Sequence, residues 1–394
     1  MNPDETAPNE TMTVGRVREC VAAIRPYVPG KPAEEVAREY GVEDVLKLAS
    51  NENPLGASPR AVEAIRAGLA DLHVYPDGSG FHLKRAIGGH FDVRPEQVTL
   101  GNGSNDVLEL VARAYLEPGV NAVFSEHAFA VYGLATQAAG AEARVVPARP
   151  ADDPDMPFGA DLEAMAAAVD ERTRVLFLAN PNNPTGTWVE TAELRAMLDV
   201  LPDHVIVVLD EAYTEYVDDP AFPDGLDLLA HYPNLVVTRT FSKIYGLAAL
   251  RVGFAVSDPL IASLLDRVRH PFNVNTLALR AAEAALDDHA FVVESRAVNR
   301  AGLAQWQAAA VARGWATVPS RANFITVITP FAAGRVFEAL LPDGVIVRPL
   351  GGMQADGALS RALRITIGTE AQNARAIDAL VRALERLTDE MAPT

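Results

Sequence analysis

The sequence predicts an α/β protein with a mostly parallel central sheet, helices on both faces of that sheet, and a second, smaller α+β domain. Three observations support this fold class. The chain has 394 residues, which suits two domains better than one. From about residue 97, helices alternate with strands that read as continuous apolar runs, a pattern typical of a parallel sheet covered on both faces. After about residue 280 the pattern changes to a long helical stretch followed by short alternating strands.

The composition excludes several kinds of partner. The formal net charge of −18 argues against nucleic acid or an anionic membrane, since both require a basic protein surface. No apolar run reaches the roughly 18 residues of a spanning helix, and residues 1–10 lack the basic and apolar regions of a secretory signal. The single cysteine, Cys20, fits a reducing compartment. We therefore expect a cytoplasmic protein that acts on small molecules, and we assign no metal site.

The first part of the chain is predicted to be an arm followed by helices and turn-rich loops. Residues 1–12 are polar and are expected to be disordered. Proline and glycine residues delimit the later elements. These are a segment over 14–30 that begins as a helix, a helix over 32–41, a strand and loop over 45–59, a helix over 59–72, and an exposed loop over 73–82 that contains Tyr75.

The middle of the chain carries the strand–helix repeat. Each predicted strand is a short apolar run rich in β-branched residues. The strands are predicted at 98–103, 121–126, 143–148, 174–180, 204–210 and 235–240, with helices over 105–116 and 132–140.

The C-terminal part reads as the smaller domain. A helical stretch over 276–313 precedes predicted strands at 322–329, 344–350 and 362–368, and a last helix over 371–387. We predict a disordered N-terminus (1–12), an arm joining the small domain (13–45), a large domain (46–280) and a small domain (281–394).

Unusual side chains stand where the predicted strands end. In open parallel sheets, ligands bind outside the carboxyl ends of the strands. The sequence therefore predicts one site at that edge. It is formed by Ser104, Asn105, Phe129, Asn183, Asp210, Tyr213 and Lys243.

Lys243 directly follows the predicted strand LVVTRT and is surrounded by groups that suit an anion. Thr240 and Ser242 precede it, and Arg251 follows eight positions later. An amine can form a covalent imine with an aldehyde, while hydroxyls and a guanidinium hold a phosphate dianion. The stretch therefore suits a covalent anchor beside a phosphate site, although a lysine after a strand is more often simply solvated.

The other strand-end residues have a chemical and an ordinary interpretation. Asp210 leaves an apolar strand, where a buried carboxylate needs a cation such as a pyridinium nitrogen. Taken alone, it is more often a helix N-cap. Ser104 and Asn105 follow two glycines at a helix N-terminus, which suits either a phosphate or a plain cap. Phe129 could stack on a ring or belong to the core.

Taken together, the motifs resemble those of the fold-type-I aminotransferases, which use pyridoxal 5′-phosphate. The chain carries, in order, GNGSN, an aromatic loop, NPNNPTG, DEAY, SK and LRVGF. Within that group it is similar to the histidinol-phosphate aminotransferases. The segments that carry this similarity are RPYVPGK (25–31), KLASNENPLG (47–56), YPDGSG (75–80), AFAVYGLATQAAGA (128–141) and RHPFNVN (269–275).

The resemblance implies a role for each site residue and a homodimer with shared active sites. It assigns Lys243 as the cofactor anchor that moves a proton between substrate Cα and C4′, Asp210 as partner of the pyridine nitrogen, and Asn183 and Tyr213 as ligands of the ring oxygen. Phe129 stacks on the ring. The cofactor phosphate is held by Ser104, Asn105, Thr240, Ser242 and Arg251, with Tyr75 from the other subunit. Arg364 binds the anionic end of the substrate, with Arg348 and the other subunit's Tyr27 nearby. The Asn183–Pro184 bond is expected to be cis.

Two departures leave the substrate open. Ile244 stands where the family usually has a small residue, and the stretch 351–360 is long, with Met353 at a position that is often aromatic. An aromatic-amino-acid or prephenate aminotransferase is therefore an alternative. A threonine-phosphate-type decarboxylase and a cofactor-binding regulator are further alternatives, although the acidic chain carries no added DNA-binding segment.

Overall fold

The computed structural model describes residues 17–26, 30–350 and 357–391, and all helices and strands named below lie within these ranges. The strands are β1 (Leu46–Lys47), β2 (Val98–Gly101), β3 (Asn121–Ser125), β4 (Glu142–Val146), β5 (Thr173–Ala179), β6 (Ile206–Asp210), β7 (Leu235–Thr240), β8 (Gly253–Ser257), β9 (Ala316–Val318), β10 (Phe324–Ile328), β11 (Val345–Ile346), β12 (Arg348–Pro349) and β13 (Ala362–Thr366). The helices are α1 (Glu19–Ala22), α2 (Ala33–Tyr40), α3 (Pro59–Gly68), α4 (Phe81–Phe91), α5 (Ser104–Tyr115), α6 (Ala130–Ala139), α7 (Leu162–Ala167), α8 (Thr191–Leu198), α9 (Gly225–Leu228), α10 (Pro259–Val268), α11 (Thr276–Leu286), α12 (His289–Arg313), α13 (Ala333–Leu340) and α14 (Glu370–Asp389). None of these helices combines the length and the apolar character that a bilayer crossing requires.

A seven-stranded sheet forms the centre of the described chain, in the order β2-β8-β7-β6-β5-β3-β4. The strands from β7 to β4 pair in parallel, and β8 is antiparallel to both β7 and β2. The predicted mostly parallel sheet is therefore confirmed. The antiparallel strand β8 was not predicted, because it follows β7 without an intervening helix.

The central strands are apolar throughout because both of their faces are covered. In β6, Ile206 and Val208 pack into one apolar cluster, whereas Val207 and Leu209 pack into another. This alternation is the period of two expected for a strand. Helices α5, α6 and α10 contribute to the first cluster, and α7 and α8 to the second. The helices therefore lie on both faces, as predicted.

A second, four-stranded antiparallel sheet has the order β12-β13-β10-β9. Its apolar face packs against α12, α13 and α14 around the fully buried Trp306. The N-terminal part of the chain joins this region, because β1 pairs in parallel with β11 and Val36 of α2 packs against Leu341 and Ile346.

Some predicted boundaries are wrong. The helical stretch predicted over 276–313 is two helices, α11 and α12. The side chain of Asp288 accepts a hydrogen bond from the Phe291 backbone N–H and starts the second helix. The strand predicted over 344–350 is also divided, because β11 pairs with β1 while β12 pairs with β13. Within 14–30, the described helix covers only Glu19–Ala22.

Candidate active site

A cavity of about 240 Å³ lies at the carboxyl end of the parallel strands. It brings together residues from five different strand ends and from the second sheet. The predicted site residues that line it are Ser104, Asn105, Phe129, Asn183, Asp210, Tyr213, Thr240, Ser242, Lys243, Arg251, Arg348 and Arg364. The cavity therefore collects twelve of the fourteen residues to which the sequence assigns a role.

Lys243 enters the cavity from the turn after β7. Its Nζ donates a hydrogen bond to the Ser50 carbonyl at 3.2 Å and lies 5.7 Å from the centre of the Tyr213 ring. Burial and the nearby Arg364 lower the pKa of Lys243 to about 7, although the acidic Glu52 acts against them. A substantial fraction of this amine is therefore neutral near pH 7, as a nucleophile requires.

The turn that presents Lys243 is held by a close backbone approach. Gly246 has φ of +70°, and a Cβ added there would lie 2.0 Å from the carbonyl oxygen of Gly56. Only glycine fits this position, on grounds of both conformation and space. The contact fixes the loop after β7 against residues 56–57, and so fixes the base of the lysine.

Asp210 ends β6 on the same face as Ile206 and Val208, with 5% of its surface exposed. Its Oδ2 accepts a hydrogen bond from the Tyr132 hydroxyl at 2.9 Å, and its Oδ1 accepts one from the Thr238 hydroxyl at 3.0 Å. Burial raises the pKa of Asp210, while these two hydrogen bonds act to lower it. None of the ion pairs found among the described residues involves this carboxylate.

The interpretation of Asp210 as a helix N-cap is wrong. The turn after β6 is a single 3-10 turn over Thr214–Tyr216, and its flanking residue is Tyr213. The carboxylate receives hydrogen bonds from the neighbouring strand, from α6 and from the backbone N–H of Ala212, which is not in a helix. It is thus oriented by its surroundings toward the cavity, where a cationic ligand atom would be its partner.

Sequence reasoning missed Tyr132 and Thr238. Tyr132 is fully buried, its ring stacks on Phe177 at 4.8 Å, and burial raises its pKa well above the usual value, so it remains a hydrogen-bond donor. Thr238 lies opposite Asp210 in the β6–β7 register. Thr238 is identified only by the β6–β7 register and Tyr132 only by how α6 packs, and local sequence spacing specifies neither.

The end of the cavity formed by α5 suits an anion. Ser104 and Asn105 begin this 12-residue helix, whose free backbone N–H groups and dipole favour negative charge. Arg251 donates to the Ser242 hydroxyl at 3.2 Å. A Cβ on Gly103, which has φ of +86°, would lie 2.4 Å from a guanidinium nitrogen of Arg251. The guanidinium is therefore packed directly on the turn that starts the helix.

The opposite end contains two arginines. Arg364 donates to the Asn183 side-chain oxygen at 2.5 Å and to the Ala49 carbonyl at 2.7 Å, and its guanidinium lies 5.4 Å from the Phe324 ring centre. Arg348 lies directly opposite Arg364 in the β12–β13 register. The Asn183–Pro184 peptide bond is cis, as predicted.

The other positions singled out in the sequence do not line this cavity or are not described. Tyr75 is 79% exposed, stacks on Phe272 at 4.9 Å and lines a separate groove. Tyr27 and Met353 fall outside the described residues. Ile244 is fully buried in the apolar core beside the large sheet, and its side chain does not line the cavity.

The arrangement fits pyridoxal 5′-phosphate, the cofactor that the sequence resemblance implies. Lys243 provides a partly neutral amine for the aldehyde, and Asp210 provides a buried carboxylate for the pyridine nitrogen. Ser104, Ser242 and Arg251 surround a place for the phosphate at the start of α5. Because all these groups line one cavity, a single ring could contact the lysine, the carboxylate and the anion site together.

Comparison with known proteins agrees with this geometry. Residues 43–380 match the family described as aminotransferase class I and II. The chain therefore belongs to the class I and II aminotransferases. It is similar to histidinol-phosphate aminotransferase 2 of Pseudomonas fluorescens (strain Pf-5), with 56% identity covering 93% of this chain and 96% of the relative. It is also similar to the enzyme of the same name from Pseudomonas aeruginosa PAO1, with 57% identity covering 92% of this chain and 96% of the relative.

A solved structure gives the same result. Histidinol-phosphate aminotransferase from Sinorhizobium meliloti, in complex with pyridoxal-5′-phosphate, matches with a TM-score of 0.85. The two sequences are 28% identical, and the match covers 95% of this chain and 99% of that one. The predicted fold-type-I architecture is therefore confirmed.

Proposed function

We propose that the protein is a pyridoxal-phosphate-dependent aminotransferase that interconverts imidazole-acetol phosphate plus glutamate with histidinol phosphate plus 2-oxoglutarate. The observation that carries this proposal is a single cavity lined by a lysine of lowered pKa, a buried aspartate and the first residues of helix α5. The similarity to histidinol-phosphate aminotransferases supports the choice of substrate.

Lys243 binds the cofactor and then serves as acid and base. Pyridoxal phosphate, when bound, supplies an electron sink for the bond that breaks at the substrate Cα. The Nζ of Lys243 takes the proton from Cα, which an amine with a pKa of about 7 can both accept and release near neutral pH. Burial raises the pKa of Asp210, and the hydrogen bonds from Tyr132 and Thr238 act against it by favouring the ionised form. In that form Asp210 would hold a proton on the pyridine nitrogen.

The cofactor phosphate is bound at the start of α5. Ser104 and Asn105 provide helix N-terminal donors, and Thr240, Ser242 and Arg251 provide hydroxyls and a positive charge. Tyr75 completes this site from a second copy of the chain. Its high exposure and its place outside its own cavity support that assignment.

Arg364 and Arg348 bind the anionic end of the substrate. Residues directly opposite in an antiparallel pair point to the same face, and like charges there are unfavourable. An anion bound here would meet both guanidinium groups, and a phosphate, with nearly two negative charges, would interact with the pair more strongly than a carboxylate. Asn183 holds the Arg364 guanidinium, and Tyr27 of a second copy would add a phenol donor. This double cation favours a phosphorylated substrate over an aromatic amino acid.

A substrate panel tests the proposal. The kcat/KM values with histidinol phosphate, phenylalanine and phosphothreonine should be measured with 2-oxoglutarate as acceptor, with CO₂ release followed in parallel. Histidinol phosphate should be the best donor, without CO₂ release. Preference for phenylalanine would assign the protein to the aromatic aminotransferases, and CO₂ release would assign it to the decarboxylases. No amino transfer with any donor would favour the regulator.

The single cysteine supports a cytoplasmic location, which we propose for this enzyme.

A further inference from the structure

Asn51 is a buried residue whose hydrogen bonds connect the two sheets. It is 1% exposed and has φ of +56°, a conformation that asparagine adopts more readily than most residues. Its side chain contacts Tyr213 after β6, its backbone N–H donates to Thr366 of β13, and its carbonyl accepts from Asn323. Sequence reasoning did not nominate Asn51 or Thr366.

The donor and the acceptor of each hydrogen bond around Asn51 can be assigned, because some of the groups can only donate. The Asn51 backbone N–H can only donate, so the Thr366 hydroxyl oxygen accepts at 2.9 Å. The Thr366 proton is then directed at Asn51 Oδ1, at 3.3 Å. The amide oxygen therefore faces Thr366, and the NH₂ group faces Tyr213.

This orientation decides what the Tyr213 hydroxyl can do. Asn51 Nδ2 can only donate, and it lies 2.8 Å from the Tyr213 hydroxyl oxygen, which must accept. The phenolic proton of Tyr213 is therefore directed away from Asn51. Tyr213 lines the cavity, with its ring next to the Lys243 amine.

We infer that Asn51 and Thr366 are positioning residues that make Tyr213 a hydrogen-bond donor to the ring oxygen of the bound cofactor. The inference rests on the proposed function. A bond donated to that oxygen draws negative charge from it and weakens its hold on a proton shared with the neighbouring lysine nitrogen. Loss of the donated bond should therefore let that proton persist to higher pH.

Asn51→Asp tests the inference, because aspartate has nearly the same shape, also tolerates positive φ, and accepts where asparagine donates. The visible absorbance of the loaded enzyme should be titrated with pH. The midpoint should rise by about one pH unit and kcat/KM should fall about tenfold, the scale of one hydrogen bond. Thr366→Val, which frees the amide to rotate without adding charge, should shift the midpoint in the same direction. Thr366→Ser keeps the hydroxyl and should restore the parent midpoint.

A Tyr213→Phe background separates the midpoint shift caused by the Tyr213 proton from a direct effect of the carboxylate that Asn51→Asp introduces. The inference expects Tyr213→Phe alone to raise the midpoint, and Asn51→Asp to add little in that background, because no phenolic proton remains to be directed. An unshifted midpoint in both Asn51→Asp and Thr366→Val would overturn the inference. So would an Asn51→Asp shift of undiminished size in the Tyr213→Phe background. A parent protein with neither visible absorbance nor amino transfer would instead contradict the proposed function.

Discussion

At the scale of single residues, Lys243 differs from every other lysine in its surroundings. The chain has only four lysines. Lys31, Lys47 and Lys84 form ion pairs with Glu39, Glu52 and Asp266 respectively. Lys243 instead lies between a backbone carbonyl, a phenol ring and two arginines, and it makes no ion pair with a described residue.

The lowered pKa of Lys243 predicts how cofactor loading depends on pH. Above a pKa of about 7 the amine is mainly neutral, and below it the amine is mainly protonated and cannot attack. The rate of covalent loading onto cofactor-free protein should rise between about pH 6 and 8 and then level off. Arg364→Gln removes a positive neighbour and should move the midpoint upward. A rate that keeps rising to about pH 10 would show an ordinary lysine.

The hydrogen bond from Tyr132 to Asp210 leads to a second prediction for a single residue. Tyr132→Phe removes only the hydroxyl that donates to Asp210, and a charge-assisted bond contributes about 1.5–3 kcal/mol. We expect kcat to fall roughly tenfold or more and the cofactor to dissociate faster. Stopped-flow kinetics and cofactor release into a trapping protein measure these effects. Tyr115→Phe, a part-buried tyrosine of α5 outside the cavity, is the control; equal behaviour of the two variants would contradict a role for Tyr132.

The strand-end residues could be predicted at this scale, but their hydrogen-bond partners could not. Lys243 and Asp210 follow apolar runs whose ends must meet at one edge of the sheet. Tyr132 reaches Asp210 because of how α6 packs on the large sheet. Asn51 reaches Tyr213 and Thr366 because the loop after β1 lies between the two sheets. Nothing in local sequence spacing specifies those contacts, so they were visible only in the structure.

At the scale of elements, β12 and β13 present two guanidinium groups to one end of the cavity. Arg348→Ala should weaken histidinol phosphate by roughly 10–150-fold, the worth of one charge-assisted hydrogen bond, and should affect glutamate less. Arg348→Lys retains the charge and should recover part of the loss. Arg364→Ala should lower kcat/KM with both substrates, because it removes the arginine that is hydrogen-bonded to Asn183 and binds the anionic end of either substrate.

Steady-state kcat/KM for each substrate makes this comparison. An equal and small loss with histidinol phosphate, glutamate and phenylalanine would contradict a phosphate-selective role for Arg348.

Element boundaries were predicted well where the spacing of apolar residues agrees with the capping residues. They were predicted poorly where a strand ends because its neighbouring strand changes. The strand over 235–240 and the helix ended by Gly41 were predicted correctly. The run 344–350 is one apolar sequence, yet its two halves pair with different sheets. Apolar periodicity cannot reveal this, because it reports burial and not the identity of the neighbour.

At the scale of the whole molecule, the division into domains remains a prediction. Helix α11 passes through residue 280, and its buried Ala281 and Ala282 pack in the same cluster as Phe254 of the large sheet. The second sheet and its helices form a separate cluster around Trp306. The two clusters support a large and a small domain.

The shared-site dimer can be tested by mixing subunits. Tyr75→Ala and Lys243→Ala variants should each have little activity alone. If Tyr75 acts in the neighbouring subunit, one of the two sites in each hybrid dimer regains both residues. Statistical mixing should then restore about a quarter of the parent activity. No recovery, with subunit exchange proven by mass spectrometry, would contradict shared sites.

The attachment point of the cofactor shows directly whether Lys243 is its covalent anchor. The loaded enzyme should be treated with borohydride, digested and analysed by mass spectrometry, so that the cofactor is fixed on the residue that carries it. We expect the added mass on the peptide that contains Lys243, and neither added mass nor visible absorbance in Lys243→Ala, while Lys84→Arg behaves like the parent. Attachment at Lys31, Lys47 or Lys84, or no attachment to a protein that binds the cofactor, would contradict this assignment.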